Sequence, residues 1–305
     1  MDEGAENGFE KAMAAHAVAV ERFLGRALED RPRDGEIARP SRLVAAMRHG
    51  VLNGGKRLRP LLVMESAALF RGDKAAALRV AGALECVHCY SLIHDDLPAM
   101  DDDDLRRGQP TVHKAFDEAT AILAGDSLLT YAFDLISDEE TLLPADRKLA
   151  LVLGLARAAG VGGMAGGQAL DLEAETVKPD EAGIIRLQAM KTGALIRYAC
   201  EAGAMVGGAS EGNRQLLAEF GSAIGLAFQL ADDLLDLTAS ADVMGKATGK
   251  DAEAGKATLV GLHGAQWARE QLEGLTEQAE TLLAPFGPKA EVLKAAARFI
   301  ANRRH

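Results

Sequence analysis

Apolar residues recur along much of the chain at helical spacing, and in several segments they surround most of the helix circumference. This pattern is expected of helices that pack against other helices on several sides. Leu and Ala dominate the apolar positions, aromatic residues make up only 4% of the chain, and the Val and Ile alternation of strands is scarce. The pattern is clearest in residues 58–70, 76–96, 118–136 and 213–237. The sequence therefore predicts an all-α fold.

Prolines and polar stretches interrupt the helical pattern at a few places, but no stretch has the composition of a linker between domains. The chain also has no low-complexity segment and no repeat of solenoid period. We therefore predict one domain over residues 1–305, in which roughly the first 30 residues form a peripheral helix. Loops are expected near residues 30–40, 104–112, 174–181, 239–257 and 284–289.

Length and charge exclude some classes of function. A chain of 305 residues with 48% hydrophobic content can bury a large core. The net charge of -11 argues against a nucleic-acid partner, because binding to a phosphate backbone needs a basic face. No uninterrupted apolar run reaches the roughly 18 residues of a membrane span, and the acidic start is unlike a signal peptide. These features predict a cytoplasmic protein without stable membrane insertion.

The three cysteines, Cys86, Cys89 and Cys200, cannot all pair, which fits a reducing compartment. Cys86 and Cys89 have the spacing of a redox dithiol or of half a zinc site. The chain has no second CxxC, however, and no βαβ pattern surrounds this one. We interpret them as thiols that pack between helices.

Two clusters of aspartates stand out. The stretch SLIHDDLPAMDDDDLRRGQP (residues 91–110) places six aspartates between Asp95 and Asp104, and FQLADDLLDL carries three more. In the second cluster Asp232 and Asp236 lie one helical turn apart on the same face. A solvated acidic face is the ordinary interpretation, but apolar neighbours on both sides favour an interior helix, in which carboxylates need a cation or hydrogen-bond donors.

The geometry of the first cluster stays open at this point. On a regular helix Asp102 would lie on the same face as Asp95 and Asp101 would not, but Pro98 makes a regular helix doubtful. Spacing alone does not decide which later aspartate joins Asp95. Carboxylate ligands suit a hard ion such as Mg²⁺, which commonly shares its coordination sphere with phosphates, and neither cluster has EF-hand spacing. The two clusters predict two sides of one metal–diphosphate site.

Basic residues that suit phosphate lie in GGKRLRP, which contains Lys56, Arg57 and Arg59, and in the adjacent pair Arg106 and Arg107. GGKRLRP alone is as typical of a surface turn as of an anion site. Its occurrence in one chain with two aspartate clusters favours the anion site.

The chain resembles the trans-prenyl diphosphate synthases, or polyprenyl synthetases, and is most similar to the bacterial farnesyl and geranylgeranyl diphosphate synthases. From about residue 40 onward, GGKRLRP, HDDLPAMDDDDLRRG, GGQALDL, MKTGAL and FQLADDLLD occur in the family's order. The resemblance implies the isoprenoid synthase fold, a bundle of ten or more helices around a central cavity. It also implies a homodimer that acts on isopentenyl and allylic diphosphates.

The resemblance also implies roles for individual residues. Metal ligands, for three Mg²⁺ ions that Mn²⁺ can replace, would be Asp95, Asp96, Asp101, Asp232, Asp233 and Asp236. The isopentenyl diphosphate pocket would comprise Gly55, Lys56, Arg59, His88 and Arg107. Contacts to the allylic substrate would come from Arg106, Lys191, Thr192, Gln229 and Lys246.

Several of these residues have ordinary structural alternatives. His88 would otherwise be interpreted as a core histidine, and Gln168 and Asp171 as a helix cap and a surface acid. Lys250 and Lys256 fit a loop that closes over the site and a solvated loop equally well. That loop lacks the aspartate that usually follows the second motif after a glycine.

The implied reaction is head-to-tail condensation by ionisation, attack and proton loss. Tyr90 and Ser91, five and four positions before Asp95, would lie roughly 6 to 7.5 Å below the metal site on a regular helix and would form the floor under the growing chain. An aromatic floor predicts farnesyl diphosphate, with geranylgeranyl diphosphate as the alternative. A class I terpene cyclase would lack the second diphosphate pocket, and a non-catalytic synthase subunit would typically lack one aspartate motif.

Overall fold

The computed structural model describes residues 3–244 and 258–303, with side chains for residues 8–237 and 258–303. In these ranges helices account for most of the chain, which confirms the all-α prediction. The helices are α1 (Glu3–Ala27), α2 (Ser41–Val51), α3 (Leu58–Leu69), α4 (Lys74–Asp95), α5 (Val112–Ala115), α6 (Glu118–Ser137), α7 (Ala145–Ala159), α8 (Met164–Ala174), α9 (Glu181–Gln188), α10 (Ala194–Val206), α11 (Glu211–Met244), α12 (Leu259–His263), α13 (Ala265–Leu283) and α14 (Glu291–Asn302).

Helices α3, α4, α10 and α11 form the centre of the bundle. Helix α4 packs against α3 and α6, and α10 packs against α3 and α11. Most side chains of α4 are buried around its whole circumference, which explains why its sequence is apolar on all sides. The α4 N-terminus is fixed by Asp73, whose side chain accepts a hydrogen bond from Ala76 N at 2.8 Å.

The predicted loops near residues 30–40, 104–112 and 174–181 lie between helices in the structure. The segment around residues 104–112 forms a short antiparallel hairpin of β1 (Leu105–Arg106) and β2 (Gln109–Pro110). The loop prediction near residues 284–289 is wrong, because Ala284–Ala290 forms a 3₁₀ helix that is interrupted at Gly287, where φ is 58°. The loop predicted at residues 239–257 is wrong at its start, because α11 continues to Met244, and residues 245–257 lie outside the described residues.

Three segments of the described chain are long and apolar enough to cross a membrane by length and composition alone. The buried share of the tested window is 72% for Lys74–Asp95, 44% for Glu118–Ser137 and 28% for Ala145–Ala174. The first is therefore a core helix of the bundle. The other two leave apolar side chains exposed on α6 and α7.

Candidate functional site

The β1–β2 hairpin separates the two adjacent arginines. Arg107 and Gly108 form its two-residue turn with φ values of 54° and 75°, the left-handed conformation that such tight hairpin turns require. Arg106 stays on the strand and binds Asp96, whereas Arg107 reaches the turn at residues 53–55. The two guanidinium groups therefore serve different parts of the site.

Gly55 makes room for Arg107. A Cβ atom at this position would lie 2.6 Å from Arg107 Nη1, and the φ value of 120° is one that residues with side chains rarely adopt. Arg107 Nη1 also donates to Asn53 Oδ1 at 3.0 Å and to the carbonyl of Gly54. Gly54 and Gly55 thus allow Arg107 to lie next to Lys56.

A cavity of about 460 Å³ lies beside this turn, and we call it the basic cavity. All five residues predicted for the isopentenyl diphosphate pocket line it: Gly55, Lys56, Arg59, His88 and Arg107. Burial, followed by the nearby guanidinium groups of Arg59 and Arg107, lowers the pKa of His88 well below its usual range. The imidazole is therefore neutral. Since Arg59 Nη1 lies 3.4 Å from His88 Nε2 and can only donate, the proton of His88 belongs on Nδ1.

Arg57 lines the basic cavity together with Lys56 and Arg59, but its guanidinium is already paired with a carboxylate. Its φ of 51° directs the side chain inward, where Nη1 lies 2.6 Å from Glu85 Oε1 and Nη2 lies 2.5 Å from the carbonyl of Val51. The guanidinium is fully buried. Arg57 therefore fixes the turn that carries Gly55 and Lys56.

Helix α4 ends at Asp95, where the first aspartate cluster begins. The chain folds back at once, because Asp101 N donates to the carbonyl of Asp95 at 2.8 Å and Asp102 N donates to Leu97 O at 3.2 Å. Burial raises the pKa of Asp95 to about 6; Lys191 opposes this shift and the Asp101 carboxylate adds to it. The turn therefore brings Asp101 close to Asp95, a pairing that spacing on a regular helix did not select.

Asp96 is buried and holds Arg106. Arg106 Nε donates to Asp96 Oδ1 at 2.6 Å, and Nη2 lies 2.5 Å from the same oxygen and 3.3 Å from Asp103 Oδ2. Burial raises the pKa of Asp96, and the hydrogen bond from Arg106 opposes the shift. Asp96 thus orients the arginine that the family resemblance assigns to the allylic diphosphate.

Lys191 and Thr192 lie in a single wide helical turn, Ala189–Gly193, between α9 and α10. Such π-helical turns often occur at functional sites. Lys191 Nζ lies 2.6 Å from Asp171 Oδ2 of the GGQALDL motif, which favours the site interpretation of Asp171 over that of a surface acid. The same ammonium group opposes the rise that burial causes in the pKa of Asp95.

A chain of hydrogen bonds links this turn to the second aspartate cluster. Thr192 Oγ1 donates to Gln229 Oε1 at 3.1 Å, and Gln229 Nε2 donates to Asp233 Oδ1 at 3.1 Å. Gln188 Nε2 donates to the other carboxylate oxygen of Asp233 at 2.8 Å. Burial nevertheless raises the pKa of Asp233. Gln188 was not found from the sequence, since no motif marks it.

Asp232, one residue before, pairs with Arg303 near the C-terminus. The Arg303 guanidinium lies 3.9 Å from the ring centroid of Phe228, and burial lowers the pKa of Arg303 to about 10. Arg303 also lines the basic cavity. No role for Arg303 could be predicted from the sequence, because no local pattern connects it with α11.

A second cavity, of about 270 Å³, shares Arg59 and His88 with the basic cavity, and we call it the Tyr90 cavity. The residues predicted here that line it are Tyr90, Ser91, Asp95, Lys191 and Thr192. Gln168 lines it too, and both its amide atoms are buried without a hydrogen-bond partner in the described part of the chain. Apolar and aromatic side chains form much of the remaining wall.

The carboxylates of the two clusters suit a hard divalent cation by their chemistry, since they offer oxygen ligands only. Asp95 and Asp101 lie close enough to oppose each other's charge, which is the arrangement that a cation relieves. Within the described residues no three His, Cys, Asp or Glu side chains are already grouped as a metal site. The oxygen ligands therefore fit magnesium. Two of these carboxylates, Asp96 and Asp232, form ion pairs with Arg106 and Arg303.

The structure thus brings most of the predicted site residues around two adjoining cavities. Asp236 is exposed on α11 and acts on the pKa of Asp233. Lys246, predicted to contact the allylic substrate, lies outside the described residues, as do Lys250 and Lys256.

Comparisons with known proteins agree with this geometry. The polyprenyl synthetase family model matches residues 40–294. A farnesyl diphosphate synthase of Geobacillus stearothermophilus is 42% identical over 94% of this chain and 95% of its own length. Geranylgeranyl pyrophosphate synthase 9 of Arabidopsis thaliana is 43% identical over 88% and 76%. The solved structure of an FPP/GFPP synthase from Zymomonas mobilis superposes with a TM-score of 0.86 at 45% identity, covering 97% of this chain and 99% of that one.

Proposed function

The chain belongs to the polyprenyl synthetase family and is a trans-prenyltransferase of the farnesyl and geranylgeranyl diphosphate synthase type, and on that premise we propose that its product is farnesyl diphosphate. In the proposed reaction the carbon–oxygen bond of dimethylallyl or geranyl diphosphate breaks. The double bond of isopentenyl diphosphate then attacks the allylic cation to form a carbon–carbon bond. Loss of a proton, which the departing diphosphate accepts, restores a double bond.

The basic cavity is our proposed isopentenyl diphosphate site. Lys56, Arg59 and Arg107 supply positive charge there, and Glu85 is already neutralised by Arg57 at 2.6 Å. Neutral His88 adds a hydrogen-bond donor through Nδ1 without a further charge. Forked guanidinium groups suit the oxygens of a diphosphate.

The allylic diphosphate is proposed to bind at the mouth of the Tyr90 cavity. Arg106, oriented by Asp96, and Lys191, oriented by Asp171, hold positive charge where the leaving group forms. Asp95, Asp96, Asp101, Asp232, Asp233 and Asp236 are the residues proposed to hold magnesium. Bound magnesium would neutralise negative charge on the departing diphosphate.

Product length is proposed to depend on Tyr90. Its half-buried ring lines the cavity on the same helix as Asp95, five residues earlier. An aromatic ring in this place limits the hydrocarbon chain that fits beneath the reacting carbon. The observation that carries farnesyl over geranylgeranyl diphosphate is this ring, because relatives of both kinds are similar to the chain to nearly the same degree.

Chromatography of the reaction products tests this proposal. Wild-type protein with isopentenyl and geranyl diphosphate should yield mainly farnesyl diphosphate. Tyr90→Ala should shift the product toward geranylgeranyl diphosphate or longer chains, since removing the ring opens the cavity. A wild type that already makes mainly geranylgeranyl diphosphate, or a variant with an unchanged product, would overturn the assignment of Tyr90 as the floor.

We also propose that the chain forms a homodimer through α6 and α7. Ile122 and Leu123 of α6 are 45% and 54% exposed, and Leu149 and Leu153 of α7 are 68% and 47% exposed. So much exposed apolar surface on two neighbouring helices is typical of an interface. Light scattering should report a dimer at micromolar concentration, and Leu149→Glu should shift it to a monomer. A wild type that is monomeric in this measurement contradicts the proposal.

A further inference from the structure

His94, the residue before Asp95, is held in place by its neighbours, but it has no role in the proposed reaction. Its side chain is 28% exposed and lines the Tyr90 cavity. His94 Nε2 lies 3.0 Å from the backbone oxygen of Ile122 on α6. Because a carbonyl oxygen only accepts, Nε2 carries a proton and donates it across the contact between α4 and α6.

Gly125 allows this contact. A Cβ atom at Gly125 would lie 2.1 Å from His94 Nε2, a separation that real Cβ atoms essentially never show. Any side chain at this position would push the imidazole off α6. The Ile122 carbonyl and Gly125 together hold the ring against the neighbouring helix, and Asp126 Oδ1 lies 4.0 Å from Nε2 on the exposed side.

The imidazole of His94 in turn packs against the Tyr90 ring. The two rings meet edge to face, with centroids 5.7 Å apart and planes inclined by 78°. They are one helical turn apart on α4, so both side chains lie on the same face. The His94 ring, held on α6 beside Tyr90, restricts the directions in which the Tyr90 side chain can give way to a longer hydrocarbon.

We propose that His94 is a specificity-determining residue, which fixes Tyr90 in place from its contacts with α6 and thereby limits product length. The inference rests on the proposed function, since it assumes that Tyr90 forms the floor of the cavity. In this role His94 is a positioning residue and needs no contact with the reacting atoms.

The central test is the ratio of geranylgeranyl to farnesyl diphosphate made by His94→Gln. The amide of Gln can still donate to the Ile122 carbonyl, but it offers no ring to support Tyr90. We expect the ratio to rise about tenfold, the discrimination that a small change in an apolar pocket supplies. His94→Phe keeps a ring but loses the hydrogen bond to Ile122, so its product ratio should lie between those of wild type and His94→Gln. A ratio of products is independent of the amount of active protein.

His49 provides a matched control. His49 Nε2 lies 2.7 Å from the carbonyl of Pro110, and its ring meets Phe116 edge to face at 5.8 Å and 75°. Neither His49 nor Phe116 lines the Tyr90 cavity. His49→Gln should therefore leave the product ratio at the wild-type value. The magnesium concentration that gives half-maximal rate should be the same for wild type and His94→Gln, which separates the effect from a disturbance of Asp95.

A double-mutant cycle shows whether His94 acts through Tyr90. In the Tyr90→Ala background, His94→Gln should cause no further change in the ratio. If Tyr90→Ala shifts the products and His94→Gln does not, the proposed function stands and this inference is wrong. This inference is also wrong if His94→Gln shifts the product ratio equally in the wild-type and Tyr90→Ala backgrounds. If Tyr90→Ala itself leaves the product ratio unchanged, Tyr90 is not the floor of the cavity.

Discussion

The carboxylates at the periphery of the molecule differ from those at the entrance of the Tyr90 cavity, which we call the mouth. The peripheral carboxylates are paired with arginines, whereas Asp95 and Asp101 at the mouth lie close enough to repel each other. At the periphery, Glu36 accepts hydrogen bonds from Arg39 Nε at 2.7 Å and Nη2 at 2.8 Å, which lowers its pKa to about 2. Asp117 accepts from Arg42 Nη2 at 2.8 Å and from Thr120 N at 2.7 Å, and its pKa is also about 2. These acids have their partners within the fold.

At the mouth the pKa values of Asp95 and Asp233 are raised rather than lowered. Burial raises the pKa of Asp95 to about 6, and the Asp101 carboxylate adds to the shift despite Lys191. Burial also raises the pKa of Asp233 despite two amide donors. Ionising these groups costs free energy in the protein alone. The peripheral acids are paired within the fold, whereas Asp95 and Asp233 are not neutralised by a paired cation within the described residues, and we infer that they are arranged to receive a metal ion.

The largest expected effect is on catalysis. Asp95→Ala and Asp232→Ala should each lower kcat by at least about a hundredfold, since each removes a proposed ligand of the ion that stabilises the leaving group. Asp117→Ala is the peripheral control. It should be slightly less stable than wild type, because it loses its helix cap, and it should keep its kcat. Steady-state kinetics measure both, and similar losses of kcat in Asp95→Ala and Asp117→Ala would remove the distinction between the regions.

The next effect is on stability without metal. The folded pKa of Asp95 is raised from 3.8 to about 6, so its favourable contribution is present below about pH 4 and is lost as pH rises through about 6. Asp95→Asn does not titrate and should be more stable than wild type at pH 7.5. Roughly two pKa units at about 1.4 kcal/mol each give an upper limit of about 3 kcal/mol.

Urea unfolding in EDTA measures this difference. The advantage of Asp95→Asn should shrink toward pH 4, where the wild-type carboxyl is protonated. An Asn variant that is less stable than wild type at pH 7.5 would mean that Asp95 is already satisfied within the fold.

The smallest effect concerns Glu36. Its folded pKa is lowered from 4.5 to about 2, so its contribution is present above about pH 4.5 and is lost as pH falls through about 2. The Glu36 side chain is 37% exposed, so solvent screening limits the contribution to about 1 kcal/mol or less. Glu36→Gln should be slightly less stable than wild type at pH 7, with a difference that shrinks as pH falls toward 2 and with no change in kcat. A loss of kcat would place Glu36 among the functional acids.

The sequence predicted the helical fold and the site's main residues because both depend on local patterns. Apolar positions at helical spacing report burial directly, and the basic turn and aspartate clusters are contiguous in the chain. The pairing of Asp101 with Asp95 did not follow from spacing, because the helix stops at Asp95 and a turn replaces it. Only the family resemblance selected that residue.

Other features depend on contacts between distant segments. Arg57 looks like a phosphate ligand in the sequence, but its left-handed backbone conformation directs it to Glu85, 28 residues away. His94 meets Ile122 across the same separation. Arg303 reaches Asp232 from the end of the chain. No periodicity or motif encodes such pairs, since they arise from the way the helices pack.

The dependence of the condensation rate on magnesium tests directly whether the aspartates of the mouth bind this ion. The measurement follows the wild-type protein with isopentenyl and geranyl diphosphate, first in excess EDTA and then as free Mg²⁺ is restored. We predict no measurable condensation in EDTA and recovery of the full rate on addition of Mg²⁺ or Mn²⁺. Full turnover in excess EDTA would contradict the account.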